Sequence, residues 1–269
     1  MIAALANTNS RKSFQPRGFS LLELLTVVST IAVLAALLFP ILSKAKTKAQ
    51  RTTCLSNLRQ LGFAWALYRD DNSDYIAESY PGEKGDNPEV WVKGDMTKLS
   101  DAGNADLIRQ GKLFPYNDSV PLYHCPADRG VPIGGKVVPT VRSYSMNCFM
   151  GARPLNSVPI PRTAGDYVPF YATGADIPHP EQMWVLLEED QRSINDGFFV
   201  TDPKGQIWFD WPAISAARHN YSYALNFADG HSATWRVADA RSMRLNKTKT
   251  EQPGNRDLER LARATATRK

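Results

Sequence analysis

The chain has 269 residues, 43% hydrophobic and 22% charged, with three cysteines and a formal charge of +5. That balance excludes a disordered, collagen-like or disulfide-dominated miniprotein and sets an expectation of one or two domains. The positive charge does not describe a uniformly cationic nucleic-acid binder, because it sits at the ends: residues 1–18 hold Arg11, Lys12 and Arg17 with no acid, residues 236–269 hold ten Lys/Arg against four acids, and the stretch between carries 19 basic and 23 acidic residues. No nucleic-acid partner is expected.

From Leu24 to Leu42 there are 19 consecutive residues without a charge. A helix of that length spans about 28 Å, close to a bilayer core. A cleaved secretory signal expects a shorter apolar region and a small-x-small site, whereas Ser-Lys-Ala-Lys-Thr-Lys-Ala-Gln-Arg follows here. Charge counting leaves orientation open, since Arg11, Lys12 and Arg17 face Lys44, Lys46, Lys48 and Arg51 across the span. Just inside the helix stands a lone carboxylate, Glu23. An acid at a membrane-helix centre costs about 2.5–3.5 kcal/mol and less near the interface, so Glu23 calls for a partner.

The run Arg17-Gly18-Phe19-Ser20-Leu21-Leu22-Glu23, with its basic leader and with Pro40 further along, resembles the N-terminal signal of type IV prepilins and type II secretion pseudopilins. The resemblance implies that a prepilin peptidase cuts between Gly18 and Phe19 and N-methylates Phe19, which becomes the first mature residue. It also implies that Glu23 pairs with the terminal amine of a neighbouring subunit, and that Pro40 takes the place of the family's helix proline. The implied partners are the peptidase, other pilin or pseudopilin subunits, an inner-membrane assembly platform and membrane lipid. The implied location is the inner membrane, single-pass, with a cytoplasmic N-terminus and a periplasmic or extracellular head.

Beyond the span, Cys54, Leu58, Leu61, Trp65 and Tyr68 recur at i, i+4, i+7, i+11 and i+14, one apolar stripe of a helix. The stripe reads as core rather than as a cofactor surface. Phe19 to Asp70 would give 52 helical residues, about 78 Å of rod. Clustered Asp70, Asp71, Asn72, Ser73 and Asp74 stop the helix. They imitate the opening of a calcium loop, but Tyr75 and Pro81 stand where glycine and glutamate would be needed, so capping and solvation are expected. No cofactor is assigned, with calcium left open because some relatives bind it. Residues 75–180 are rich in Pro and Gly, with strand candidates at Val137-Val138, Arg142 to Met146 and Glu181 to Glu189.

Three cysteines, Cys54, Cys125 and Cys148, leave one unpaired in an extracytoplasmic head. Relatives with a helix cysteine near Asn-Leu and a later Cys-Pro resemble Cys54 to Leu58 and Cys125-Pro126, which implies a Cys54–Cys125 bridge. Cys125 with Cys148 is the competing pair. Zinc at Cys125 and His124 is a third reading, disfavoured because no Cys-x-x-Cys pair exists.

A second block runs from Arg218 to Trp235, with alternating side chains around Asp229-Gly230, and reads as a β-hairpin. His219, nine residues, then Asp229-Gly230 resembles a C-terminal signature of prepilin-like proteins, in which glycines usually follow His-Asn where Tyr221-Ser222 stand here. His219, Asp229, Glu188 and Glu189 could together suggest an active site; ordering of the hairpin by hydrogen bonds is the favoured reading. Trp208, Phe209 and Trp211 could form a sugar platform, yet aromatics in a small sheet domain usually pack. No nucleophile elbow, P-loop or zinc-protease motif is present.

The expected fold is α+β: a long N-terminal transmembrane and amphipathic helix packed on a small antiparallel β-sheet head. Its parts would be a leader 1–18, a spine helix 19–70 spanning the membrane over 19–42, a head 71–235 and a basic, mobile tail 236–269. The function expected is a non-enzymatic subunit of a pseudopilus or pilus-like filament. The alternative is a membrane-anchored extracytoplasmic binding domain, for a glycan or metal, or an enzyme that borrows the anchor.

Overall fold

One helix, α1 (Leu21–Asp71), runs for 51 residues and passes through Pro40 in the computed structural model, which describes residues 19–151, 170–214 and 218–267. The expected leader, Gly18 included, lies outside the described residues. Internal contacts divide the chain into two units, Met1–Ala45 and Lys46–Lys269.

In the first unit the apolar side chains of α1 have no partner among the described residues. Leu22, Leu25, Ile31, Leu34, Leu38 and Leu42 are all at least 60% exposed, a surface that water does not tolerate over this length. Among the described residues α1 is the one helix long and apolar enough to cross a membrane. It begins with a capping box. Ser20 Oγ accepts from Glu23 N at 3.2 Å, while Ser20 N and Oγ each donate to Glu23 Oε2 at 2.9 Å. Pro40 removes one donor from the ladder without ending the helix.

In the second unit the same helix turns one stripe inward. Cys54, Leu58, Leu61, Trp65 and Tyr68 are buried, as their spacing predicts, together with Asn57 and Gly62. The helix stops where the acids cluster, with Asp74 N donating to Arg69 O at 2.8 Å and Ser73 and Asp74 in the left-handed region. The Asp74 carboxylate is an ion-pair partner of Arg69 and accepts from Ala175 N at 2.8 Å. Arg69 therefore holds the Asp74 carboxyl below its ordinary range.

After α1 come α2 (Leu99–Ala102), α3 (Ala105–Arg109) and a small hairpin of β1 (Val131–Ile133) with β2 (Lys136–Val138). The main strands are β3 (Tyr144–Asn147), β4 (Trp184–Glu188), β5 (Phe198–Phe199), β7 (Ser222–Phe227) and β8 (Ser232–Arg236), with β6 (Ile207–Trp208) between β5 and β7 in the chain. They form a five-stranded sheet in the order β5-β3-β4-β7-β8, antiparallel except where β3 meets β5. β7 and β8 are the expected hairpin, joined through Asp229-Gly230 with Gly230 at φ +91°, a conformation that glycine adopts without strain.

β7 has no exposed face. Tyr223, Leu225 and Phe227 belong to one core cluster, while Ala224 belongs to the cluster built on α1. Asn226 abuts Gly62 of α1, where a Cβ would come within 2.4 Å of its amide. The second face of β7 is covered by the segment after Arg236, which charge alone marks as a mobile tail. Instead it supplies β9 (Thr250–Glu251), paired with β6, and α4 (Arg256–Arg263). Asn255 caps α4 by accepting from Asp257 N and Leu258 N, and Leu258 and Leu261 are fully buried beside Trp208, Trp211 and Phe227. Two leucines bury little by themselves; here they complete a tryptophan-rich core, and the basic side chains stay at its edge, with Arg260 over the Trp235 ring at 3.8 Å from its centroid. Leu261→Ala is expected to cost about 2–5 kcal/mol of stability in denaturant unfolding, the scale of a core truncation; a change within error would mean that the segment is solvated.

Candidate functional site

The densest chemistry lies where α1 meets the sheet. Cys54 enters from the inward stripe of α1, and Cys125 from the turn Cys125-Pro126-Ala127-Asp128, where Asp128 N donates to Cys125 O at 2.9 Å. The two cysteines form a disulfide across a sequence separation of 71, which leaves Cys148 buried with a free thiol. Burial pushes that thiol up to about 12, so it is inert at neutral pH.

His219 Nε2 lies 3.1 Å from Cys125 Sγ, 3.2 Å from Cys54 Sγ and 3.1 Å from Glu188 Oε1. All four residues are buried, and their donor atoms lie within 4.8 Å of one another. Glu188, at the end of β4, is aimed by Ala224 N of β7, which donates to its Oε2 at 3.0 Å. His219, Asn220 and Tyr221 all hold positive φ, at 51°, 52° and 58°. Three successive non-glycine residues in this region are strained at about 1–2 kcal/mol each.

Around the four stands a buried ionic layer. Arg218 Nη2 lies 3.1 Å from Asp128 Oδ2 and 3.8 Å from Glu188 Oε1, and Arg218 Nη1 donates to Glu189 O at 2.7 Å. Ser143 Oγ donates to Asp128 Oδ2 at 2.6 Å and accepts from Cys125 N at 3.1 Å. Arg218 opens the second sequence block and Asp128 ends the Cys-Pro turn, but nothing in their local pattern assigns either a role in this layer.

The other sequence candidates are dispersed. Phe19, Glu23 and Pro40 lie in the first unit. Asp229 stays in the hairpin turn, where His231 N donates to its Oδ1 at 3.1 Å and His231 Nδ1 lies 2.6 Å from the same atom. His219 therefore does not order that turn; it holds the cysteine pair. His124 contributes its carbonyl, which accepts from Asn57 Nδ2 at 3.1 Å, and is not one of the four clustered donors. Trp208 and Trp211 are packed in the core and offer no sugar platform.

Glu189 belongs to a different cluster. Ser193 Oγ donates to its Oε1 at 2.9 Å, and Asp210 accepts from Val200 N at 2.7 Å. Loss of water, reinforced by repulsion from Asp210, drives the Glu189 carboxyl well above its ordinary range. Asp210 is raised to about 7, again by loss of water.

Against known proteins, the chain is 36% identical over 69 residues to the type II secretion system core protein G of Pectobacterium carotovorum subsp. carotovorum, covering 26% of this chain and 44% of that protein. It is 44% identical over 59 residues to the protein of the same name from Klebsiella pneumoniae, covering 22% of this chain and 42% of the relative. It is 39% identical over 61 residues to the type IV wide pilus major component of Thermus thermophilus, covering 23% and 47%. The chain is similar to pseudopilins and type IV pilins. The matches span less than half the length of these relatives. No family model and no solved structure matches the chain. Together with the long apolar helix and the sheet that follows it, these similarities mark a membrane-anchored, pilin-like architecture.

Because Asp210 keeps its proton longer in the folded state than in the unfolded chain, folded protein binds more protons between about pH 4 and pH 7, and stability falls as pH rises through that window. Asp210→Asn, which can still accept from Val200 N, is expected to flatten this slope in thermal midpoints recorded against pH. An unchanged slope would remove Asp210 as its source.

Proposed function

We propose that the chain is a prepilin-like structural subunit, cut between Gly18 and Phe19 by a prepilin peptidase, N-methylated at Phe19, and assembled through α1 into a type II secretion pseudopilus or a type IV pilus-like filament. Its partners are the peptidase, other pilin or pseudopilin subunits, an inner-membrane assembly platform and membrane lipid. It works by assembly and not by turnover. It enters the inner membrane once, with its N-terminus cytoplasmic and its head periplasmic or extracellular.

The observation that carries this reading is the first unit of α1: an apolar surface with no partner among the described residues, interrupted near its start by the single carboxylate of Glu23. Neighbouring helices of the same kind in a filament would cover that surface after it leaves the bilayer. A new α-amino group at Phe19 would place a cation next to an otherwise uncompensated carboxylate, and two such charges stabilise each other only in the correct register.

Two measurements test the proposal. Mass spectrometry of protein from a host with an active prepilin peptidase should find N-methylated Phe19 at the mature N-terminus; an intact leader there overturns the processing step. Glu23→Gln keeps the N-cap partner of Ser20 and removes the charge. It should be processed normally yet be lost from filaments by at least about tenfold, a pairing energy near 1.4 kcal/mol. Normal incorporation would leave Glu23 as a cap alone.

A further inference from the structure

We propose that Cys54, Cys125, His219 and Glu188 form a metal site for a thiophilic divalent cation, zinc being the natural choice, when the Cys54–Cys125 bridge is reduced. The bridge and the metal are then alternative ways of holding α1 to the sheet.

The donor set is two sulfurs, one imidazole nitrogen and one carboxylate oxygen, the mixture that four-coordinate zinc takes. Bond lengths of about 2.0–2.3 Å around a tetrahedral ion separate its ligand atoms by about 3.3–3.8 Å. The three separations from His219 Nε2, at 3.1, 3.2 and 3.1 Å, fall just short of that range. Small side-chain rotations meet it once the sulfurs part. Outer partners are in place for Cys125 and Glu188. Ala127 N donates to Cys125 Sγ at 3.4 Å, a bond that favours thiolate over thiol. Ala224 N holds Glu188 Oε2 and leaves Oε1 toward His219. Two thiolates and Glu188 bring three negative charges against a divalent cation, and Arg218 Nη2, 3.8 Å from Glu188 Oε1, offsets the excess. The strained turn at His219 to Tyr221 is then the cost of bringing the imidazole to this point.

The chemistry balances in two steps. A dithiol reductant gives two electrons and two protons to the Cys54–Cys125 disulfide and itself becomes a disulfide. The two cysteine thiols then bind the cation and release two protons.

The test uses full-length protein in detergent, reduced with a phosphine that is then removed, and titrated anaerobically with cobalt(II). One cobalt per chain is expected, with a sulfur-to-cobalt charge-transfer band and the intense visible bands of tetrahedral coordination, displaced by zinc. His219→Ala should weaken binding about 100-fold or more, since even outer-shell partners are worth about 10- to 100-fold. Glu188→Gln, isosteric and able to keep the Ala224 hydrogen bond, serves if His219→Ala does not fold, and should weaken binding about tenfold or more. Cys148→Ser should bind as the parent does. No thiolate band in reduced protein, equal binding by oxidised protein, unchanged affinity in the Glu188 variant, or loss of binding in Cys148→Ser would each overturn the proposal.

Discussion

The head depends on one buried polar junction. Arg218, almost wholly enclosed, lies between Asp128 and Glu188, and beside it Glu188 meets His219 and the Cys54–Cys125 pair. These groups come from α1, the Cys-Pro turn, β4 and the turn before β7, so four distant stretches of chain meet at one place. Enclosed charges are costly unless each is paired, and removing one partner typically costs about 3–5 kcal/mol because the other is stranded. The junction thus penalises any arrangement in which one of the four stretches is out of register. The disulfide acts in the same direction, since closing a loop of 71 residues restricts the unfolded chain by about 4 kcal/mol in the chain-entropy picture.

Around this junction the sheet has to be covered twice. β4 and β7 are buried on both faces, and a strand of that kind needs a layer on each side. The inward stripe of α1 covers one face. The other is closed by the tryptophans near β6 and by α4, whose capping asparagine and Asp257 satisfy backbone donors that would otherwise be stranded as the segment packs; Asp257 accepts from Ala238 N at 2.8 Å and Asp239 N at 2.9 Å. Thr265 ties the end of this segment to the sheet, accepting from Trp184 Nε1 at 2.9 Å while its carbonyl accepts from Asn147 Nδ2 at 2.9 Å. A charge count describes only the outer side of such a segment.

This division explains what could be read from sequence. The stripe from Cys54 to Tyr68 and the Asp229-Gly230 hairpin report the period or turn chemistry of a single element and lie where their patterns place them, and β3 overlaps Arg142–Met146 while β4 falls inside Glu181–Glu189. The packing of residues 236–267 was not legible, because Leu258 and Leu261 have meaning only beside Trp208, Trp211 and Phe227. The junction was legible only in fragments. His219, Glu188 and the cysteines each stand out, but 165 residues separate His219 from Cys54, and no local period encodes an approach of that kind. The expectation that His219 orders the hairpin turn together with Asp229 is not met: His219 Nε2 faces Cys54, Cys125 and Glu188, while Asp229 stays in the turn with His231.

The first unit poses the opposite problem, since its geometry is local and its energetics are not. The capping box satisfies backbone donors at the start of α1 through Ser20 and Glu23, and it accounts for a side chain of glutamate length at that position. It does not account for the charge, because glutamine fills the same role in a capping box. A neutral amide would avoid the cost of placing a carboxylate at the edge of an apolar span. The basic residues nearest in sequence, Arg11, Lys12 and Arg17, all belong to the segment that processing would remove. The proposed cut would create a cation to replace the ones it discards, and the amine at Phe19 would be the group that accounts for a carboxylate at this position.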